Sequence, residues 1–483
     1  MTNLAVMGLE AAVLAVALAL LLLDLWLPAE QKRTLGYAAA AALGLILLAS
    51  FAITLPESRT AFGGMYVLDD LALFFKRLFL LTAVLVLMMS VEFADQLTSG
   101  VAEYFALVLV ALAGMMFAAS ANDFTLLFVA IELITVTFYI LTSFQRHRLQ
   151  SLEAGLKYLI LGGVSSAFLV YGIALVFGAS GTLNFTRLAH APTVVAHSRL
   201  LGLGLLFVFA GLGFKIAAVP FQVWAPDVYQ GSPVPTTAFL AVGSKAAGFV
   251  LLLRVLHLAA PALTLAAWGK FLMVTSGVTI LYGNLCAIPQ RNFKRLMGYS
   301  SIANAGYLLL GVAVMTAAGS SAILYYLSGY LFSVLGAFTV VCLALRTAEA
   351  EDIEGLGGLH QRSPLLAATL TLAMISLAGV PPLAGFFGKF LLLKSVVSRA
   401  GQVPGLAWLL GVALLGIVVS LYYYFGVIRA IYWGAAPADA AAIPLSRPTR
   451  WTLYTCIAGM LWLGIFPNAL VNLAEQAVRP LRF

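Results

Sequence analysis

Charge is what this sequence has least of. Its 483 residues hold only 27 Lys+Arg and 19 Asp+Glu, or 10%, where a soluble domain carries about 25%. That excludes an ordinary water-solvated globule. Cysteine is nearly absent too. Cys286, Cys342 and Cys456 stand alone in apolar surroundings, with no CxxC pair and no Cys/His cluster. A disulfide framework, a zinc site and an iron–sulfur cluster are therefore not expected. No Lys/Arg tract exists, so the net charge of +8 does not point to nucleic acid. No polar stretch is long enough for a water-soluble domain. Nucleotide or flavin binding by this chain is accordingly not expected. Gly355, Gly357 and Gly358 follow no strand and open no phosphate-binding helix, so they read as a loop.

What is present is apolar length. Hydrophobic residues make up 62% of the chain, and about 20 consecutive apolar residues span a bilayer. By that measure the fold class is an all-α polytopic membrane protein of about fourteen transmembrane helices. They fall near 4–27, 35–54, 71–91, 102–121, 123–143, 154–179, 200–221, 234–258, 264–285, 296–316, 320–345, 365–394, 405–432 and 451–473. A β-barrel would show short alternating segments instead. The first run is too long for a signal-peptide core and lacks a basic start, so it reads as a retained helix. The connections are short, the longest polar ones being 180–199 and 346–363, the latter with Arg346, Glu349, Glu351, Asp352, Glu354 and Arg362. Loops after odd-numbered helices carry twelve basic residues, Arg146, Arg148, Arg291, Lys294 and Arg295 among them. The other side carries nine, including Arg254 and Arg482. This modest bias puts both termini on the outer face.

Two of these helices are interrupted. The seventh contains Gly211, Gly213, Lys215, Pro220 and Pro226, and the twelfth Gly379, Pro381, Pro382, Gly385 and Gly388 just before Lys389. Proline removes a helix hydrogen bond. In lipid a break survives only where protein or water satisfies the freed backbone groups. Breaks five helices apart are the pattern of internal repeats with discontinuous helices along a transport path.

Four charges lie in otherwise apolar spans: Glu132, Lys215, Lys245 and Lys389. Each costs a few kcal/mol or more in lipid, which makes it a functional candidate by default. The bland alternatives are a hydrogen-bonded packing residue at Glu132 and a tether for the break at Lys215. A Glu132–Lys215 pair resolves both costs. A neighbouring carboxylate favours a charged lysine and burial alone a neutral one, so moving the two apart would release a proton. Lys245 lies too deep to snorkel easily, whereas Lys394 can reach the interface. Lys157 follows Glu153 by four residues, the spacing of an ordinary helical salt bridge, so it stands between the two readings. Asp24, Lys76 and Arg77 lie near helix ends and read as interfacial anchors. His257 and His360 fall at edges, and His147, His190 and His197 in loops, so each reads as surface or interface. Tyr422, Tyr423 and Tyr424 read as packing or an aromatic belt. The run from Gln290 through Lys294 and Arg295 to Ser301 reads equally as a basic anchor.

Three stretches resemble one family. The first runs Gly213-Phe214-Lys215, Val219-Pro220-Phe221, Trp224, Pro226-Asp227-Val228-Tyr229-Gln230-Gly231, Pro233 and Pro235. The second holds Lys294-Arg295, Tyr299-Ser300-Ser301, Asn304 and Gly306-Tyr307, and the third Gly379-Val380-Pro381-Pro382, Gly385 and Gly388-Lys389. They resemble the antiporter-like subunits of respiratory complex I, over essentially the whole chain. Tyr229-Gln230-Gly231, Lys245, and lysine rather than glutamate at 389 favour the N type over the M type. The absence of a long lateral helix after the fourteenth span favours it over the L type.

The resemblance implies three N-terminal helices (1–101), two inverted five-helix repeats (102–258 and 264–432) with broken helices 7 and 12, and a C-terminal helix (451–473). It implies that Glu132 pairs with Lys215, Lys245 is central and Lys389 is the terminal proton site. It implies no cofactor in this chain, with FMN, iron–sulfur clusters and quinone in partner subunits. It implies as membrane neighbours the M-type subunit and the small K and J subunits, with lipids around them, in a bacterial inner membrane with periplasmic termini. The alternatives are an Mrp-type cation/proton antiporter subunit, the membrane arm of a related hydrogenase or formate hydrogenlyase assembly, or a structural scaffold.

Overall fold

The computed structural model describes residues 3–55, 57–97, 99–190, 198–260, 265–346, 351–435, 441–481 and 483. Glu349, His197 and Arg482 lie outside the described residues. The chain is almost entirely helical. In order come α1 (Gly8–Asp24), α2 (Thr34–Ser50), a hairpin of β1 (Arg59–Ala61) and β2 (Tyr66–Leu68), then α3 (Asp70–Phe93), α4 (Val101–Ala119), α5 (Phe124–Thr142) and α6 (Leu149–Ser180). There follow α7 (Arg199–Ile216), α8 (Trp224–Gly231), α9 (Val234–Ala259) and α10 (Leu265–Ala287). The remainder is α11 (Phe293–Ala313), α12 (Ala317–Ala344), α13 (Pro364–Ala378), α14 (Ala384–Val397), α15 (Leu406–Trp433), α16 (Arg447–Ile465) and α17 (Asn468–Ala477). The antiparallel hairpin pairs Arg59 with Leu68 and is a small β element that apolar run length did not predict.

Among the described residues, ten helices are long and apolar enough to cross a membrane alone, or eleven if one bent pair counts as a single span. That pair is α16 and α17, which meet at 86°. The expected span 451–473 is therefore not one straight helix. Pro467 follows α16 and cannot continue its hydrogen-bond ladder. Run 365–394 is likewise divided, into α13 and α14 at Pro381 and Pro382, and in run 200–221 the helix α7 stops at Ile216, before Pro220, with α8 starting beyond the run at Trp224.

Both divisions use the same cap. Ala217 (φ +57°) and Gly379 (φ +87°) are left-handed residues just past a helix end. The next N–H reaches back five residues, Ala218 to the Gly213 carbonyl at 2.9 Å and Val380 to the Ile375 carbonyl at 3.2 Å. Carbonyls orphaned by the break are thereby satisfied inside protein.

The core lies where α9, α11 and α12 run together, nearly every residue buried, while α6 and α15 turn most of their surface outward. Leu156, Ile160, Val164, Tyr171 and Phe177 form an exposed apolar face on α6. Such a face suits hydrocarbon and is no liability in a membrane. Without a hydrophobic drive in lipid, helices associate through close packing. A Cβ at Gly172 of α6 would come within 2.7 Å of the Gly204 carbonyl of α7, so glycine there sets the distance of approach.

Candidate functional site

Three lysines are buried in the body of the molecule, Lys215 at 3% exposure, Lys245 at 2% and Lys389 at 3%. The broken helices and the core put them there. Lys215 occupies the last turn of α7, just before the left-handed Ala217. Its Nζ donates to Thr135 Oγ1 of α5 at 2.9 Å and to the Tyr158 hydroxyl of α6 at 3.4 Å. Tyr158 is fixed by stacking on Phe214 and packing on Trp224, whose indole N–H donates to the Phe214 carbonyl at 2.8 Å. The two sides of the break are thus tied together around the lysine.

Glu132 is on α5, one turn from Thr135, and is partly exposed. It accepts from Ser166 Oγ at 2.5 Å. The expected Glu132–Lys215 ion pair is not formed in this structure. Ser166 holds one partner, and Thr135 with Tyr158 the other.

Lys245 follows a π-helical turn, Leu240–Ser244, in α9. It donates to the Ser301 carbonyl at 2.5 Å and also bonds Ser301 Oγ. That hydroxyl also bonds Tyr229 of α8 at 2.9 Å, and the Lys245 ammonium lies 5.4 Å from the centre of the Tyr330 ring. Lys389 reaches across the second break to the Leu377 and Ala378 carbonyls at 2.8 and 3.2 Å. These are the last carbonyls of α13, where the helix dipole favours a cation. The face of Tyr307 lies 4.9 Å away.

Between Lys245 and Lys389 stands α11, with Ser300, Ser301, Asn304 and Tyr307 spaced along one face. Ser300 bonds the Tyr424 hydroxyl at 2.5 Å, and Asn304 accepts from Tyr326 at 2.7 Å. Tyr423 donates to Asn284 of α10 at 3.0 Å. The basic-anchor reading of the Gln290–Ser301 run misses this polar face. The packing reading of the tyrosine run holds for Tyr423 and Tyr424, which are buried in the core with hydrogen-bonded hydroxyls, while Tyr422 is exposed. The signal was legible: polar residues at helical spacing inside an apolar span.

Lys157 belongs elsewhere. Its side chain is 42% exposed and pairs with Glu153 and Asp227, both at 2.7 Å. Asp227 also holds Arg295 at 2.6 Å.

Three other buried cations correct the sequence reading. Lys76, expected at the interface, is fully buried on Glu10 at 2.8 Å and the Tyr66 hydroxyl at 2.6 Å. Arg254, counted with loop charges, is buried in α9 and grips Asp69 through two bonds of 2.7 and 3.1 Å. Lys294, also counted with the loops, is buried on Glu351 at 3.1 Å. Each has a carboxylate partner distant in sequence, which run length cannot reveal. His257 is buried as well, at the end of α9, rather than on the surface.

A row of buried lysines beside two capped helix breaks, embedded in hydroxyls and amides, can hold and relay a proton. The profile of one family, NADH:quinone oxidoreductase/Mrp antiporter, TM, matches residues 121–416. The chain belongs to that family. Within it, the NADH-quinone oxidoreductase subunit N of Desulforamulus reducens is 39% identical over 478 residues, covering 99% of this chain and 98% of that protein. Subunit N of Moorella thermoacetica is 40% identical over 477 residues, covering 99% and 98%. A chain of respiratory complex I from Thermus thermophilus with bound aureothin superposes with a TM-score of 0.81 at 34% identity, covering 97% of this chain and 99% of its own. A chain of the Dietzia Mrp complex shares the antiporter-family fold alone, with a TM-score of 0.83 at 23% identity, over 98% of this chain and 52% of that one.

Proposed function

We propose that this chain is a proton-translocating, N-type membrane-arm subunit of an NADH:quinone oxidoreductase. The observation that carries the reading is a set of three buried lysines, Lys215, Lys245 and Lys389, none bonded to a carboxylate among the described residues. An unpaired buried ammonium is held in its charged form only weakly, so it can give up and regain a proton. Glu132 is the control group. When it swings from Ser166 toward Lys215 the lysine is held charged, and when it withdraws the proton leaves. The proton then passes by Lys245 and the hydroxyls of α11 toward Lys389. Moving one charge across 100 mV requires about 2.3 kcal/mol. A pair separation that changes proton affinity by one or two units supplies about 1.4 to 2.7 kcal/mol, which is the same scale.

The architecture that goes with this reading has fourteen spans. It places two inverted five-helix repeats at 102–258 and 264–432, three helices before them (1–101) and one after (451–473). The two left-handed helix caps support that division. Both termini lie on the periplasmic face of a bacterial inner membrane. FMN, iron–sulfur clusters and quinone reside in other subunits, and the neighbours in the membrane are the M-type, K and J subunits. Lys157 lies off the path, its charge consumed by Glu153 and Asp227.

The test is Lys245→Met in the assembled complex, reconstituted in vesicles. Quinone reduction and proton uptake are measured together. Protons moved per electron should fall, and full wild-type pumping in this variant would reject the path. The matching family takes in Mrp antiporters as well, which supports a second reading, cation/proton exchange. Sodium-driven proton movement by vesicles containing the chain without redox partners would favour it.

A further inference from the structure

A groove opens at the surface where α2, α3, α12, α16 and α17 meet. It encloses about 360 Å³. Its walls are mainly apolar, with Leu47, Phe51, Phe74, Leu78, Trp462 and Leu473 prominent among them. Along α3 the lining runs from Asp70 to Leu81. At 1.5 Å per residue that is about 16 Å, or one half of a hydrocarbon core of roughly 30 Å. The groove is therefore about one leaflet deep.

Its two charged groups stand at helix ends. Asp70 opens α3. The Arg77 guanidinium lies 4.6 Å from the centre of the Phe51 ring and donates to the carbonyl of Ser50, the last residue of α2, at 2.8 Å. Arg77 Nε is shielded from solvent and has no hydrogen-bond partner. Gln476 of α17 lines the same groove, and α17, turned 86° from α16, packs on α3 and α12. One cation and one anion, seven residues apart on α3, line an otherwise largely apolar slot. An anionic headgroup would satisfy Arg77 and face Asp70 uncompensated. A choline headgroup carries positive charge but no N–H to donate to a carboxylate.

We propose that the groove is a site for one phospholipid with an amine headgroup. Its phosphate lies on Arg77, its ammonium on Asp70, and one acyl chain runs along Phe74, Leu78 and Leu81. The site does not depend on the proton path.

The experiment exchanges the chain, in its purified membrane assembly, into nanodiscs. These contain equal parts of phosphatidylethanolamine, phosphatidylcholine and phosphatidylglycerol, each in turn carrying a photoreactive acyl chain. Wild type should be labelled most strongly by the phosphatidylethanolamine probe, at peptides 70–81 and 462–477. Arg77→Gln should lower that labelling about tenfold, the loss of one charge-assisted contact. Asp70→Asn should retain labelling and lose the preference for phosphatidylethanolamine over phosphatidylcholine. Leu473→Trp, at an exposed rim position, should block the groove and lower labelling by all three probes. If Arg77→Gln fails to assemble, Leu473→Trp decides. Equal labelling of wild type by the three lipids, unchanged labelling in Leu473→Trp, or cross-links from these peptides to a neighbouring subunit in place of lipid would overturn the proposal.

Discussion

Two sets of buried cations occupy this molecule, and they are bonded in opposite ways. Lys76, Arg254 and Lys294 each rest on a carboxylate, Glu10, Asp69 and Glu351 respectively. Lys215, Lys245 and Lys389 rest on hydroxyls and backbone carbonyls. Both sets are equally withdrawn from solvent, so burial does not distinguish them. Counter-charge does. A paired cation is locked in its charged state and joins helices far apart in sequence, as Arg254 joins α9 to the turn before α3. A cation on neutral acceptors loses little when it becomes neutral, and a proton carrier needs that freedom. Under the proposed function, buried charge serves as a staple in one set and as a relay in the other.

The contrast can be broken at several points. The largest effect belongs to Asp69→Ala. It strands Arg254 and removes the side chain that caps Ala72 N at 2.8 Å. Stranding a buried charge costs about 3–5 kcal/mol, so thermal unfolding of the purified assembly should begin far below wild type. An unchanged transition would mean that Arg254 is no staple. Next comes Lys389→Met. Assembly and unfolding should stay near wild type while pumping falls by about two orders of magnitude, the usual yield of a positioned proton-transfer group. If unfolding changes as much as for Asp69→Ala, the lysine is structural.

Much of this contrast was open to a reader of the sequence, though unevenly. Lys245 stands in mid-span, and Pro220, Pro381 and Pro382 mark the breaks beside Lys215 and Lys389. The staples were misread because Lys76, Arg254 and Lys294 lie near span ends, where a lysine or arginine ordinarily reaches water. Only their distant partners draw them inward. The polar face of α11 was visible as spacing yet was assigned to an anchor.

A smaller effect sharpens the staple side. Glu10→Leu alone should destabilise the chain, and Glu10→Leu with Lys76→Met should recover stability to within about 1 kcal/mol, because a buried pair can often be replaced by well-packed apolar groups. Thermal unfolding of both variants decides it. The smallest effect is expected at Lys157→Gln, whose half-exposed bridges are worth about 1 kcal/mol or less. Pumping and unfolding should both match wild type, and a pumping defect there would move Lys157 onto the path.

Apolar runs longer than a bilayer leave the backbone no solution but helices, so the sequence by itself determined a polytopic membrane protein. Prolines and glycines inside two runs determined where the helices divide. Which buried cations meet a carboxylate was decided by tertiary structure alone. Glu10 and Lys76, or Asp69 and Arg254, are brought together by helix packing that no local pattern records. The same holds for Glu132, which is bonded to Ser166 and not to Lys215. Pairing depends on distances of a few ångströms between separate helices, and a linear sequence carries no such distances.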